Sequence, residues 1–137
     1  MSGTWATAGA LVPVDWDDAL ARCGGADERT GLRVARLAGD EGFCTFIAWL
    51  EAGAEVPAHY HEAGDEHYHV LQGRGELALC DVDRGTRSVV PIARGQSFVV
   101  PPRVAHALRN VGGEPLLLMF SCAASHLGSD RRFVDAG

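Results

Sequence analysis

The residues best suited to chemistry lie in one stretch, Gly53 to Gly73, which reads GAEVPAHYHEAGDEHYHVLQG. It holds the pair His59 and His61, one residue apart, and an acid, Glu66, five residues beyond. In an extended segment alternate side chains share a face and lie about 6.5 Å apart. Both imidazoles can therefore turn a ring nitrogen onto one ion, with bonds of about 2.0–2.1 Å in the case of zinc. Glu66 starts the next extended run and can meet the pair from a neighbouring strand once the intervening HEAGD has turned. A fourth ligand must come from elsewhere, and His106, in GQSFVVPPRVAHALRN, is the best candidate. A lone histidine is ordinarily a hydrogen-bonded core or surface residue; the metal reading rests on the set. Three neutral imidazoles and one carboxylate would leave a divalent ion with a net charge of about +1, and an octahedral ion would keep two positions for water, dioxygen or a bidentate substrate. A nitrogen-rich set of this kind suits Fe, Mn, Ni, Cu or Zn and does not choose among them.

The elements that must position these residues read as strands. Asp15 to Cys23 (DWDDALARC) is predicted as a short helix with acids in its first turn and Gly24-Gly25 as a stop. From Gly31 onward the helical period disappears. GLRVARLAG, GFCTFIAWLEAG, GELALCDVD, RSVVPIARG, SFVVPP, HALRNVGG and PLLLMFSC are short apolar runs separated by Gly or Pro. With the first stretch they make roughly nine strands at spacings of about 8–12 residues, an all-β sandwich or barrel. Residues 4–14 could add an edge strand, and the polar tail AASHLGSDRRFVDAG could lie over the barrel or a neighbour. Gly73-Arg74-Gly75 reads as a hairpin turn.

Strand alternation also assigns faces. Tyr68 and Val70 share the face of Glu66, and Leu108 and Asn110 that of His106. Glu66 and Tyr68 are the candidate catalytic residues, Glu66 as a base and Tyr68 as a hydroxyl donor to a substrate oxygen; a packed ring bonded to backbone is the plainer alternative for Tyr68. His67 and His69 fall on the opposite face and are expected to point outwards. Asn110 suits a turn or a supporting hydrogen bond. His126, in the tail, serves as an acid or base only if the tail folds over the site; a surface histidine is the plainer expectation. Phe43, Phe46, Trp49, Leu77, Met119 and Phe120 are candidates for an apolar wall, though strand faces are not fixed well enough to choose among them.

Composition narrows the classes. A chain of 137 residues fits a single domain, 1–137, with enough length for a real core. A net charge of −6 argues against nucleic acid. No apolar run approaches the ~20 residues needed to span a bilayer. The N-terminus has no positive region and Pro13 interrupts its apolar run, so no secretory signal is expected and the cytoplasm is the default location. Cys23, Cys44, Cys80 and Cys122 are scattered without a CxxC pair and read as free thiols. There is no lysine, which removes Schiff-base chemistry.

The two histidine-bearing stretches resemble the two motifs of the cupin superfamily. The first has Gly53, five residues, His59-x-His61, four residues, Glu66, six residues and Gly73; the second has Gly95, five residues, Pro101, then His106, three residues and Asn110. One position departs: Arg103 stands where the second motif has a glycine, which bears on the turn there because glycine is used where φ is positive. Arg103 could clamp an anionic substrate, or be an ordinary solvated arginine. The resemblance implies a jelly-roll (double-stranded β-helix) barrel with its core at about 31–123, preceded by the short helix. It implies His59, His61, Glu66 and His106 as ligands of one divalent metal ion, and a homodimer. It also implies a small-molecule enzyme, dioxygenase-like or polyketide-cyclase/isomerase-like, in which a substrate oxygen pair is chelated. The alternative is a non-catalytic sensor of small ligands; a structural or storage protein fits less well.

Overall fold

The computed structural model describes residues 12–134 apart from 26, 28 and 29. Helix α1, Trp16–Ala21, is capped by Asp15, whose side chain accepts from the Asp18 amide at 2.9 Å, so one of the helix's unpaired amides is satisfied. Ten strands follow: β1 Arg33–Gly39, β2 Cys44–Leu50, β3 Glu55–Tyr60, β4 Glu66–Gln72, β5 Arg74–Asp81, β6 Arg87–Ala93, β7 Ser97–Val100, β8 Val104–Asn110, β9 Leu116–Cys122 and β10 Arg132–Phe133. The strand expected at residues 4–14 falls largely outside the described residues, and 12–14 form none. No described helix is long and apolar enough to cross a membrane.

The strands form two antiparallel five-stranded sheets, in the orders β1-β2-β9-β4-β7 and β10-β3-β8-β5-β6. Alternation sets what each face meets. In β9 Leu116, Leu118, Phe120 and Cys122 are buried while the residues between them are half-exposed. Phe46, Ala48 and Leu50 of β2, Val70 of β4, and Leu77 and Leu108 of the opposite sheet complete the interior. Ile47 points the other way and, with Ala35, packs under Leu20, so α1 covers part of the first sheet's outer face. Of the candidate wall residues, Phe43 is exposed and Met119 belongs to this outer cluster, whereas Leu77 and Phe120 face inwards.

One expectation is corrected. Gly73-Arg74-Gly75 is not a hairpin turn, because β4 and β5 lie in different sheets. Gly73, at φ +86°, is the corner where the chain leaves one sheet for the other. A Cβ there would lie 2.8 Å from the Pro115 carbonyl oxygen. A glycine flanking a strand looks alike in both uses, and only the pairing of the strands separates them. Gly73→Ala is expected to destabilise by about 1–3 kcal/mol or more, from backbone strain plus the clash. Gly53→Ala, with a positive φ but nothing within 4 Å of the added carbon, should cost less. Urea denaturation of both variants checks this, and a Gly73→Ala protein as stable as the wild type refutes the corner's role.

Candidate metal centre

The second sheet supplies two histidines, the residue just past its β3 a third, and the first sheet the acid. His59 of β3 and His106 of β8 are direct cross-strand partners, with ring centroids 4.3 Å apart. A β-bulge between Val56 and His59 aims the former into the interior and then, three residues on, the latter; unbroken alternation would have turned His59 outwards. His61 follows β3, its ring 5.2 Å from that of His59 and 5.5 Å from that of His106. Glu66, the first residue of β4, enters from the opposite sheet. All four side chains are buried, with Glu66 only 2% exposed.

The rings' outer nitrogens fix their tautomers. Nδ1 of His59 is 2.9 Å from the Pro57 carbonyl oxygen, Nδ1 of His106 is 3.0 Å from that of Val104, and Nδ1 of His61 bonds that of Asp130. A carbonyl only accepts, so in each ring Nδ1 carries the proton and Nε2 of the neutral ring presents a lone pair. Nε2 of His61 and Nε2 of His106 are buried without a hydrogen-bond partner. They stand 3.1 Å and 3.3 Å from the two oxygens of Glu66. Lone pairs facing a carboxylate at that separation repel unless a cation lies between them. Two ligands of one ion at bonds of about 2.1 Å are about 3.0 Å apart at a right angle and about 3.4 Å apart at a tetrahedral angle. These two spacings match, and ligand atoms of His59, His61 and His106 also lie within 4.8 Å of one another, a nitrogen-rich donor set that fits a divalent transition ion.

Charge follows the same logic. Burial, helped by the neighbouring His106, pushes the pKa of His59 down to about 3, which leaves a neutral ring. Burial alone would raise the Glu66 carboxyl, but hydrogen bonds donated by the rings of His106, His126 and His61 when they carry a proton on the facing nitrogen outweigh it and hold the group well below the usual range; a cation in place of those protons acts in the same direction. Burial and then the charge of Glu66 push Tyr68 well above its ordinary value, so it stays a phenol.

The other candidates fall as follows. Tyr68 shares the interior face of Glu66, and its hydroxyl donates to Glu66 Oε1 at 2.7 Å. His67 and His69 point outwards, His69 beside the Ser97 hydroxyl. Asn110 ties the β8–β9 crossing, donating to the carbonyls of Leu50 and Glu114 and accepting from the Gly112 amide. Arg103 takes the positive φ itself, at 60°. Its guanidinium is engaged by Asp83 and Glu62, so it is a surface ion-pair residue outside the cavity lining. The four cysteines are free.

His126 overturns the expectation of a surface histidine, for it is 1% exposed. A 3-10 turn, Ala124–Leu127, carries it inwards, and its ring stacks on that of His61 at 4.0 Å. Nδ1 lies 3.0 Å from Glu66 Oε2 and Nε2 2.7 Å from the Ala63 carbonyl oxygen. Burial opposes charge on this ring, but the bond to Glu66 outweighs it and raises the pKa. The tail has no strand or helix periodicity to place it; the condition attached to His126, that the tail fold over the site, is the one the structure meets.

Of the cluster, His59, Glu66 and His106 line a cavity of about 330 Å³. Its walls are apolar and partly aromatic, with Val56, Leu77, Phe98, Leu108, Leu118 and Phe120. Asp27, Thr30 and Arg131 also line it, and Arg131 sits 3.4 Å from Asp27.

Residues 46–122 match the family described as Cupin domain. Polyketide synthase CurC of Streptomyces cyaneus is 31% identical over 70% of this chain and 58% of its own length. The 3-hydroxyanthranilate 3,4-dioxygenase of Xanthomonas campestris is 33% identical over 50% of this chain and 38% of its own. The chain thus spans well under two thirds of either relative. Among solved structures, a Klebsiella pneumoniae protein with a double-stranded β-helix domain superposes with a TM-score of 0.67 and 17% identity, covering 89% of this chain and 96% of that one. The likeness places the two sheets in the double-stranded β-helix architecture.

The depressed pKa of His59 makes stability depend on pH in the metal-free protein. In the unfolded chain a histidine titrates near 6.5, against about 3 in the folded one. Between those values the unfolded state binds the extra proton. The contribution is therefore fully present above about pH 6.5 and lost as pH falls toward 3. His59→Gln is expected to flatten this dependence. Urea denaturation of both metal-free proteins at a series of pH values between 4 and 7 tests it, and parallel profiles would refute it.

Proposed function

The chain belongs to the cupin family, and from that premise we propose that it is a metal-dependent enzyme that holds an oxygen pair of a flat, largely apolar, polyketide-like molecule at the His59, His61, His106 and Glu66 cluster and promotes its enolisation for cyclisation or isomerisation. One observation carries the reading: two unpartnered, tautomer-fixed nitrogens, on His61 and His106, face a buried carboxylate beside a cavity with an apolar, partly aromatic wall. The likeness to CurC, the polyketide synthase that aligns with 70% of the chain, supports the polyketide-like substrate.

A divalent ion bound there would polarise the substrate oxygens and lower the pKa of the adjacent acidic position. The chain's own groups do the rest. His59, His61 and His106 each present Nε2, oriented by their backbone partners. Tyr68 donates to Glu66 and keeps its proton, so Glu66 stays ionised and fixed. Glu66 is the residue in the cluster able to take up a substrate proton. The aromatic and branched wall excludes water and seats a planar ring system. The 3-hydroxyanthranilate 3,4-dioxygenase likeness, across half the chain, favours a dioxygenase as the second reading, and a redox-active ion held by the same residues would supply that chemistry.

Purified protein is expected to carry, or take up, about one transition ion per chain, and His61→Ala or His106→Ala to lose at least 10-fold in affinity. Elemental analysis and chelator competition measure this. A wild-type chain that neither retains nor binds such an ion is no metalloenzyme and moves the assignment to a small-ligand sensor. Oxygen uptake with catechols, flavonols, thiols or enediols would select the oxidative branch. Turnover of an enolisable poly-β-ketone without oxygen uptake would select the cyclase branch.

A further inference from the structure

We infer that His126 is a positioning residue for Glu66, fixing the carboxylate oxygen that faces His61 and so setting how tightly the cluster grips its ion. The inference rests on the metal reading above and goes beyond it, because this residue belongs to neither histidine-bearing motif.

Both acceptors of the His126 ring are identified. The Ala63 carbonyl oxygen accepts from Nε2 at 2.7 Å, and Glu66 Oε2, an acceptor as well, lies 3.0 Å from Nδ1. A neutral ring can donate to one of them at a time, and a ring protonated on both nitrogens to both, so in either case the two contacts hold the ring edge-on to Glu66. Its plane lies within 5° of that of His61, which limits rotation. With Tyr68 on Oε1 and His126 on Oε2, each oxygen of Glu66 has one fixed donor outside the three-histidine set. The remaining lone pairs are thereby directed at Nε2 of His61 and Nε2 of His106.

The C-terminal segment holds His126 in place independently of the cluster. The carboxylate of Asp130 accepts from the amides of Glu62 and Ala63 at 2.7 and 3.1 Å, which fixes the loop whose carbonyl His126 meets. The backbone oxygen of Asp130 orients His61. Strand β10 then pairs with β3, with Phe133 opposite His59. One short segment thus orients a histidine of the cluster and its acid together, as a metal site's outer ring of hydrogen bonds does.

The test is a double-mutant cycle on cobalt(II) affinity, measured by chelator competition, with His126→Phe and Glu66→Gln. Phenylalanine keeps the ring volume and the stack on His61 but donates nothing. His126→Phe is expected to weaken cobalt binding about 10–100-fold in the wild-type background, and by less than about threefold in the Glu66→Gln background, because the two losses share one interaction. Equal losses in both backgrounds would mean that His126 acts independently of Glu66, and no loss in either that it only packs; both overturn the inference while leaving the metal reading intact. A wild type that binds no cobalt removes both. Should His126→Phe fail to fold by circular dichroism, His126→Gln goes through the same cycle under the same criteria.

Discussion

An ionised carboxylate buried to 2% exposure is the constraint around which this molecule is arranged. Taking a charge out of water costs several kcal/mol unless it is paired and its lone pairs are satisfied. Glu66 meets that condition with two fixed donors, Tyr68 and His126, on separate oxygens. Its other faces look onto nitrogens whose protons are committed to backbone carbonyls on the far side of their rings. The arrangement is complete only with positive charge between acid and rings. Each histidine alone has an ordinary explanation, but two unpartnered nitrogens, on His61 and His106, aimed at one carboxylate have a shared one.

That convergence depends on the sheets facing each other across a packed interior. The acid belongs to β4 in one sheet, and His59 and His106 to β3 and β8 in the other. Their separation is therefore set by the side chains between the sheets, such as Phe120, Leu118 and Leu77. Interiors pack to nearly crystalline density, so the sheets cannot slide without disturbing that contact. The bulge in β3 supplies the remaining adjustment by reversing the alternation just ahead of the histidines. Rigidity here is inherited from the core, which suits a site whose ligands must hold their places within fractions of an ångström.

What was legible in the sequence was local. His59 and His61 share a face because they are two apart, and the same rule put Glu66, Tyr68 and Val70 inside and His67 and His69 outside. The strands announced themselves by composition and by Gly or Pro at their ends. The features that escaped depend on pairing at a distance. The role of Gly73 follows from which sheet β5 joins, and the bulge from the register of β3 against β8. His126 touches Glu66 across sixty residues of chain, and its segment has no period to read. Arg103 is intermediate: its position flagged a turn that needs positive φ, and the turn is present with the arginine in it. Its ion pairs with Asp83 and Glu62 were not visible, since those acids lie far apart in sequence.

The way the donors are used also bears on the chemistry. Tyr68, His59, His106 and His126 all line the cavity, yet each directs its proton to Glu66 or to a backbone carbonyl. A reaction needing a strong, freely placed general acid is poorly served by such a wall. A reaction whose barrier is mainly the acidity of a carbon or hydroxyl beside a chelated oxygen needs far less from it. One carboxylate can receive the proton, and the apolar surroundings strengthen every electrostatic contact by excluding water. The firm hold on Glu66 also sets a cost, because a ligand fixed at both oxygens is slow to swing away as a base. Under the proposed function, shape and apolar contact along the wall are then left to decide which molecule would present its oxygen pair to the cluster, and in which orientation.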